Sequence, residues 1–281
     1  MIEWHDERSA RGGCMQGKDV SNEIGEIAES LRETLVSAVE GRYGIAVSGS
    51  IGKGSNDADS DYDFRLYYDK RADDFADKWK TVQSKIAWWA DRGRVIDGVW
   101  CRSIEEIDTT LDGWLSGDIT TRELDWAIWG YYLPTDIHNQ RIIEDPHGVL
   151  AGWKTRLSVY SEALKQAVID RFMRFLRYWK SDYHYQHKVD TGDTVFAYSL
   201  AAKIIHAAVQ IVFAANERYY VGDGKNLEFV AEMRRVPEGF AGAIESILYR
   251  PSEAADLPEQ RRLIIELIDM VESLLDPTGN R

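Results

Sequence analysis

The chain has 281 residues, of which 47 are acidic and 34 basic, so its formal net charge at pH 7 is −13. This length fits one large domain or two ordinary ones and excludes a miniprotein without a core of its own. The negative charge disfavours a general nucleic-acid binder, because such a protein would repel the phosphate backbone. With 44% hydrophobic and 29% charged residues, the chain is expected to be globular rather than disordered.

Cysteine usage and the N-terminal segment predict the compartment. Cys14 and Cys101 are the two cysteines, and they form no C-x-x-C pair, which favours a reducing environment. The N-terminus lacks the basic segment and apolar run of a secretory signal. We therefore expect a cytoplasmic protein.

Helical and strand patterns alternate along the first hundred residues. Apolar residues at helical spacing predict helices over 21–40 and 73–91. Short apolar or alternating runs predict strands at 43–47, 62–68 and 94–101. A loop rich in Gly, Ser, Asn and Asp joins the first two strands, so the predicted order is helix, strand, strand, helix, strand.

After Ser103 the pattern is mostly helical, with a short strand at Arg141–Glu144. Helices are expected at about 161–186, 194–215, 226–235, 237–249 and 257–275. The second of these is apolar enough for a membrane span, but Lys203, His206 and Gln210 lie in its middle, where insertion would be costly. We therefore expect the helix over 194–215 to be buried in a protein core, and we expect no membrane partner.

Together these patterns predict an α+β protein of two domains. The N-terminal domain, over 1–150, is expected to hold a small mixed sheet flanked by helices. The C-terminal domain, over 151–281, is expected to be an all-α helical bundle.

The densest chemical signal lies between Ser48 and Phe64. Side chains alternate along a strand, so Asp61 and Asp63 are expected on one face. Two carboxylates this close favour a cation between them, and Mg²⁺ prefers carboxylates together with substrate phosphates. Gly49 allows a close backbone approach, and the Ser50 hydroxyl is suited to hold a phosphate.

The same segment contains Gly52-Lys53 and so approaches a P-loop. It lacks two required residues: Val47 stands where the first glycine belongs, and Gly54 replaces the Ser or Thr after the lysine. A P-loop ATPase or kinase is therefore disfavoured.

The segment resembles the signature of the DNA polymerase β-like nucleotidyltransferase superfamily. That signature is a hydrophobic strand ending in Gly-Ser, about ten residues, and Asp-x-Asp between hydrophobic residues. Here it reads Val47-Ser48-Gly49-Ser50, then ten residues, then Asp61-Tyr62-Asp63-Phe64. The length and helical C-terminal half are most similar to the two-domain branch typified by aminoglycoside and lincosamide nucleotidyltransferases.

The resemblance implies a third carboxylate on a later strand. Asp97 is the candidate because it lies among apolar residues of the predicted third strand, where an acid is otherwise disfavoured. Asp91 and Glu105 are weaker candidates near helix ends, and a structural aspartate at a strand end is the alternative.

The resemblance also implies a mechanism and its cofactors. Two Mg²⁺ ions bound by Asp61 and Asp63, with Asp97 as the third ligand, would bridge the α-phosphate and the leaving pyrophosphate of ATP or another nucleoside triphosphate. Asp97 would bind or deprotonate the acceptor hydroxyl.

Three residues of the helical half are candidates for binding the nucleotide. Asn216 to Lys225 loosely resembles an Asn-x-x-Tyr…Lys segment of this branch, in which Lys225 would contact the triphosphate and Tyr219 would stack on a base or acceptor. Tyr220 is the alternative to Tyr219 for stacking, and a helix end with a solvated lysine is an equally good interpretation of the segment. Lys203 is either a phosphate ligand or a lysine that extends from an apolar helix to solvent.

The predicted function is transfer of a nucleoside monophosphate, AMP from ATP, to a hydroxyl of a small molecule, such as an aminoglycoside-like antibiotic. A cationic acceptor fits the acidic chain better than a polynucleotide does. The alternatives are a protein-modifying or toxin–antitoxin-type nucleotidyltransferase and a non-catalytic nucleotide-binding protein. A monomer or a homodimer is compatible with the sequence.

Overall fold

The computed structural model describes residues 20–119, 122–124, 127–131, 133–222, 224–249 and 256–276. Over these ranges the protein is α+β, with helices in the majority and strands in two small sheets. The elements in chain order are α1 (Ser21–Ser37), β1 (Val39–Val47), α2 (Gly49–Lys53), β2 (Asp63–Arg71), α3 (Phe75–Ala90), β3 (Gly98–Ser103), α4 (Ile104–Leu115), β4 (Arg122–Leu124), β5 (Ala127–Tyr131), α5 (Leu133–Asn139), β6 (Arg141–Glu144), α6 (Val149–Leu157), α7 (Glu162–Ser181), α8 (Tyr183–Asp190), α9 (Thr194–Ala215), α10 (Asn226–Ala231), α11 (Phe240–Leu248) and α12 (Leu257–Leu275).

The chain divides into two compact units. The first takes in the chain up to Ile107 and then Asn139–Lys154, and the second takes in Asp108–His138 and the chain from Thr155 onward. The segment Asp108–His138 therefore groups with the C-terminal helices, whereas the sequence pattern places a single boundary near residue 150.

The first unit is built on a four-stranded mixed sheet of order β3-β2-β1-β6. β1 is antiparallel to β2 and β6, and β2 is parallel to β3. Val47 of β1 pairs with Phe64 of β2 and Arg141 of β6, while Asp63 pairs with Gly98 of β3. The end of β1 and the beginnings of β2, β3 and β6 therefore share one edge of the sheet, here named the Val47 edge.

The two faces of this sheet have different partners. One face belongs to a core with α1 and α3, in which Leu31, Phe64 and Leu66 are completely buried. Because side chains alternate along a strand, Asp63 and Tyr67 of β2 point to the opposite face. There the Tyr67 ring contacts Trp153 of α6, with ring centroids 5.0 Å apart. The start of β2 thus presents its carboxylate on the α6 face.

The second unit is a helical assembly around α9, which packs against α7, α8, α10 and α12. Within the described ranges, α9 is the one helix long and apolar enough to cross a membrane, and 56% of its most apolar stretch is buried. The apolar side chains of α9 therefore form part of the core of this unit. The antiparallel pair β4–β5 also belongs here.

Most predicted elements are present, but several bounds differ from the predictions. The helix expected over 161–186 is two helices, because the Asp182 carboxylate accepts the Tyr185 N–H and begins α8. The helix expected over 226–235 ends at Ala231. The strands β4 and β5 lie in a segment predicted to be mostly helical. Cys101 is a half-buried free thiol whose pKa is raised to about 12 by burial, and Cys14 lies outside the described residues.

His206 provides a pH test of the second unit. Its ring lies in α9 against Phe172 and Tyr220, with ring centroids 5.6 and 5.5 Å away. Burial lowers the pKa of His206 to about 4. The unfolded chain takes up this proton near pH 6.5, so the free energy of unfolding should fall as pH falls from 6.5 to 4.

We expect this group to contribute a loss of about 2–3 kcal/mol across that window. His206→Leu should remove that part of the pH dependence in urea titrations between pH 7 and 4. His184→Leu is the control, because His184 is an exposed histidine of the same unit. Identical pH profiles for wild type and His206→Leu would contradict the assignment.

Candidate functional site

Gly49 and Asp63 lie against each other at the Val47 edge. Gly49 has φ +61°, and a Cβ placed on it would lie 1.8 Å from Asp63 Oδ2. The Ser48 N–H donates to the Asp63 backbone oxygen at 2.9 Å. The Gly-Ser turn is therefore folded directly onto the start of β2, and position 49 needs glycine for both its conformation and its lack of a side chain.

The polar loop predicted after β1 begins with the five-residue helix α2. Ser50 lies on this helix, and its Oγ is buried without a hydrogen-bond partner among the described residues. A buried hydroxyl normally has a partner. The Ser50 hydroxyl therefore has unused hydrogen-bonding capacity, and its role as a phosphate ligand stays a prediction.

The loop that leads to the two aspartates is held by its own side chains. The Asp57 carboxylate accepts from the Ser60 hydroxyl at 2.9 Å and from the Asp59 N–H at 3.2 Å. The Ser60 Oγ in turn accepts the Asp57 N–H at 2.9 Å. These bonds fix the approach of the chain to Asp61.

Asp61 and Asp97 lie just before the strands β2 and β3. β2 begins at Asp63 and β3 at Gly98, so the prediction that Asp97 stands inside a strand is wrong. The two segments remain paired beyond the strand ends, because the Tyr62 N–H donates to the Val95 carbonyl at 2.9 Å. Asp61 and Asp97 are thereby kept together at the Val47 edge.

The electrostatics of this pair favour a cation. Asp61 is half-buried and Asp97 is exposed. Burial raises the pKa of Asp61, and the negative charge of Asp97 raises it further, against smaller opposing effects of a backbone hydrogen bond and of Arg65. Two carboxylates with this unfavourable interaction gain from a cation placed between them.

Arg65 is a residue of the site that the sequence patterns did not reveal. Its side chain is buried, and Nη1 lies 3.5 Å from Asp63 Oδ1 and 3.2 Å from the Phe64 carbonyl oxygen. Its guanidinium also lies over the Trp100 ring, 4.8 Å from the centroid. Arg65 stands two residues after Asp63, and side chains at this spacing share one face of a strand. That spacing could have identified Arg65 from the sequence.

Asp61 and Asp63 are suited to a metal ion whose remaining ligands come from the substrate. Within the described ranges, no group of three His, Cys, Asp or Glu side chains is close enough to hold a metal ion. Mg²⁺ is usually bound by one or two carboxylates together with water and substrate phosphates. Asp61 and Asp63 supply hard oxygen ligands of this kind, and the unfavourable burial of ionised Asp61 is what a bound cation would relieve.

A cavity of about 250 Å³ lies beside the loop between α2 and β2, within the first unit. Its charged lining consists of Glu23, Asp57, Asp59 and Arg94. Glu23 accepts from Arg94 at 2.8 Å and from the Tyr62 hydroxyl, and burial together with this bond raises the pKa of Tyr62 to about 12. Because carboxylates outnumber the guanidinium, the cavity favours a neutral or cationic molecule over an anion.

The predicted nucleotide-binding residues of the helical half belong to the second unit. Lys203 is exposed on α9, and Lys225 is exposed at the start of α10 with φ +53°. Tyr219 is buried, with its ring centroid 5.0 Å from that of His138 and 4.9 Å from that of Tyr160. Stacking of Tyr219 on a base would therefore require a change in this packing, and the roles of all three residues stay predictions.

Comparison with protein families gives one match. The model of a family described as a domain of unknown function, DUF4037, matches residues 133–223. No curated protein matches the chain. The matched segment includes α5, β6 and α6 and ends after Tyr220, so it lies outside the Gly-Ser and Asp-x-Asp motif.

Two glycines allow the contact between Gly49 and Asp63 to be tested. Gly54 also has positive φ, +70°, but a Cβ on it would meet nothing within 4 Å. Gly54→Ala should therefore cost about 1 kcal/mol of stability from backbone strain alone. Gly49→Ala should cost about 3 kcal/mol, because steric overlap with the Asp63 carboxylate adds to that strain. Urea unfolding measures both, and equal costs would contradict the contact.

Proposed function

We propose that the protein is a metal-dependent nucleotidyltransferase that moves a nucleoside monophosphate, AMP from ATP, onto a hydroxyl of a small molecule. The observation that carries the proposal is the placement of Gly49 against Asp63, and of Asp61 beside Asp97, at the Val47 edge. The motif spacing that resembles the DNA polymerase β-like superfamily supplies the chemistry that these residues would perform.

Asp61 and Asp63 are the proposed metal ligands, with Asp97 beside Asp61. Bound Mg²⁺ would stabilise the negative charge on the α-phosphate and on the leaving pyrophosphate. Asp63 is positioned by Gly49 and Arg65, and Asp61 by the pairing of its segment with the one before β3. The Ser50 hydroxyl, which has no hydrogen-bond partner among the described residues, would donate to a phosphate oxygen.

Asp97 is the proposed base. Its carboxylate is exposed, so an acceptor hydroxyl can reach it. The acceptor oxygen would form a bond to the α-phosphorus while the bond from that phosphorus to pyrophosphate breaks, and the hydroxyl proton would pass to Asp97. AMP ester and pyrophosphate are the products.

The charge distribution supports a neutral or cationic acceptor. The chain carries a net charge of −13, and Asp61 and Asp97 place two neighbouring carboxylates at the Val47 edge. A polycationic hydroxyl compound, such as an aminoglycoside-like antibiotic, would be attracted to such a surface, whereas a polynucleotide would be repelled.

Asp63→Asn should abolish transfer while the fold is retained, because the amide keeps the shape of the side chain and removes the charge that binds the metal. We expect kcat/KM to fall at least a hundredfold, roughly the upper bound for loss of a residue that only supports a metal ligand. Pyrophosphate release from ATP with Mg²⁺ and a panel of hydroxyl acceptors measures this.

Asp69→Asn is the matched control. Asp69 lies on the same strand and face as Asp63, but it is exposed and paired with Arg42 at 3.0 Å. The Asp69→Asn substitution should leave the rate of transfer unchanged. Retained activity in Asp63→Asn would refute the metal assignment. Modification of a protein instead of a small molecule would favour the protein-modifying alternative, and Mg²⁺-ATP binding without turnover would favour a non-catalytic nucleotide-binding protein.

A further inference from the structure

Lys154 and Gln140 lie at the β6 end of the Val47 edge, in the first unit. The Lys154 ammonium donates to the Gln140 carbonyl at 2.7 Å. Gln140 directly precedes β6 and is only 1% exposed. Its Nε2 is buried without a hydrogen-bond partner among the described residues. A cation and an unused donor thus stand beside the start of β6.

Tyr67 and Trp153 hold Gln140 and Lys154 in place. The Tyr67 hydroxyl donates to Gln140 Oε1 at 2.8 Å. The Tyr67 ring packs on Trp153, the neighbour of Lys154 in α6. Lys154 is half-buried, and its burial lowers its pKa. Burying an ammonium costs free energy unless an acceptor or an anion offsets that cost.

The backbone before β6 also lies against α2, the helix that carries Gly49 and Ser50. A Cβ placed on Gly52 would lie 3.1 Å from the Asn139 carbonyl oxygen and 3.5 Å from the Gln140 Cα. The carbonyl that accepts from Lys154 therefore belongs to the backbone segment that faces Gly52 of α2. Lys154 thus binds the backbone segment that lies against the helix carrying Gly49 and Ser50.

The strand order places the charged groups in sequence along the Val47 edge. Asp97 precedes β3, Asp61 and Asp63 stand at β2, Gly49 and Ser50 follow β1, and Lys154 reaches the start of β6. Adjacent strands are about 4.8 Å apart. If the α-phosphate binds at the β2 aspartates and the acceptor at Asp97, the remaining phosphates extend toward β1 and β6.

We infer that Lys154 binds the terminal phosphates of the nucleoside triphosphate, with Gln140 as the residue that positions it. This inference rests on the proposed nucleotidyltransferase function. Lys154 would distinguish a triphosphate from a monophosphate, because an ammonium placed at this end of the edge contacts only the pyrophosphate portion. The competing role is structural, namely a lysine that only satisfies the Gln140 carbonyl.

Calorimetric binding of Mg²⁺-ATP, Mg²⁺-tripolyphosphate and AMP to the full chain tests the inference. Lys154→Met should weaken ATP and tripolyphosphate binding by about tenfold to a hundredfold, the range for loss of a charge-assisted hydrogen bond. AMP binding should stay unchanged. Lys154→Arg should keep most of the ATP affinity, which shows that the charge rather than the fold is responsible.

Lys85→Met is the matched control. Lys85 is also a partly buried lysine of the first unit, whose ammonium donates to the Ser30 carbonyl at 2.6 Å, but it lies on α3. It should leave ATP affinity at the wild-type level. Thermal unfolding of each variant establishes that the fold is intact.

The outcomes separate this inference from the proposed function. If Lys154→Met binds ATP like wild type while Asp63→Asn does not, the triphosphate role of Lys154 is overturned and the proposed function stands. Equal losses of ATP and AMP affinity in Lys154→Met would also overturn that role. If wild type binds neither ATP nor tripolyphosphate with Mg²⁺, both are overturned.

Discussion

The close approach of the Asp63 carboxylate to the backbone of Gly49 is the constraint on which the candidate site depends. It requires a residue without Cβ and with positive φ at the turn after β1. The same approach brings the Gly-Ser turn against Asp63, although the two are distant in sequence. The antiparallel pairing of β1 with β2 and the parallel pairing of β2 with β3 then align Asp97 with this point.

Charge balance is the second constraint. Arg65 lies beside Asp63, but Asp61 remains half-buried next to Asp97. The edge therefore carries excess negative charge at β2 and β3, while Lys154 adds positive charge at the β6 end. This polarity suits a metal-bound triphosphate whose reacting end lies at the carboxylates and whose terminal phosphates extend toward the lysine.

The sequence predicts the fold class, the strands of the main sheet and the long helices, because these depend on hydrophobic periodicity. It also predicts the acidic pair and Gly49 from local spacing. The sequence patterns did not identify Arg65, Gln140 and Lys154 as site residues, because their roles depend on which strands are neighbours. β6 joins the sheet only after a long intervening segment of the chain. The grouping of 108–138 with the C-terminal helices was not predicted either, because it too depends on contacts between distant parts of the chain.

Diffraction from crystals soaked with Mn²⁺ and a non-hydrolysable ATP analogue tests the central claim most directly, because Mn²⁺ is located by its anomalous signal. We expect an anomalous peak between the Asp61 and Asp63 carboxylates, with the analogue's α-phosphate bound to the same ion. A peak elsewhere, or an analogue bound away from the Val47 edge, would contradict it.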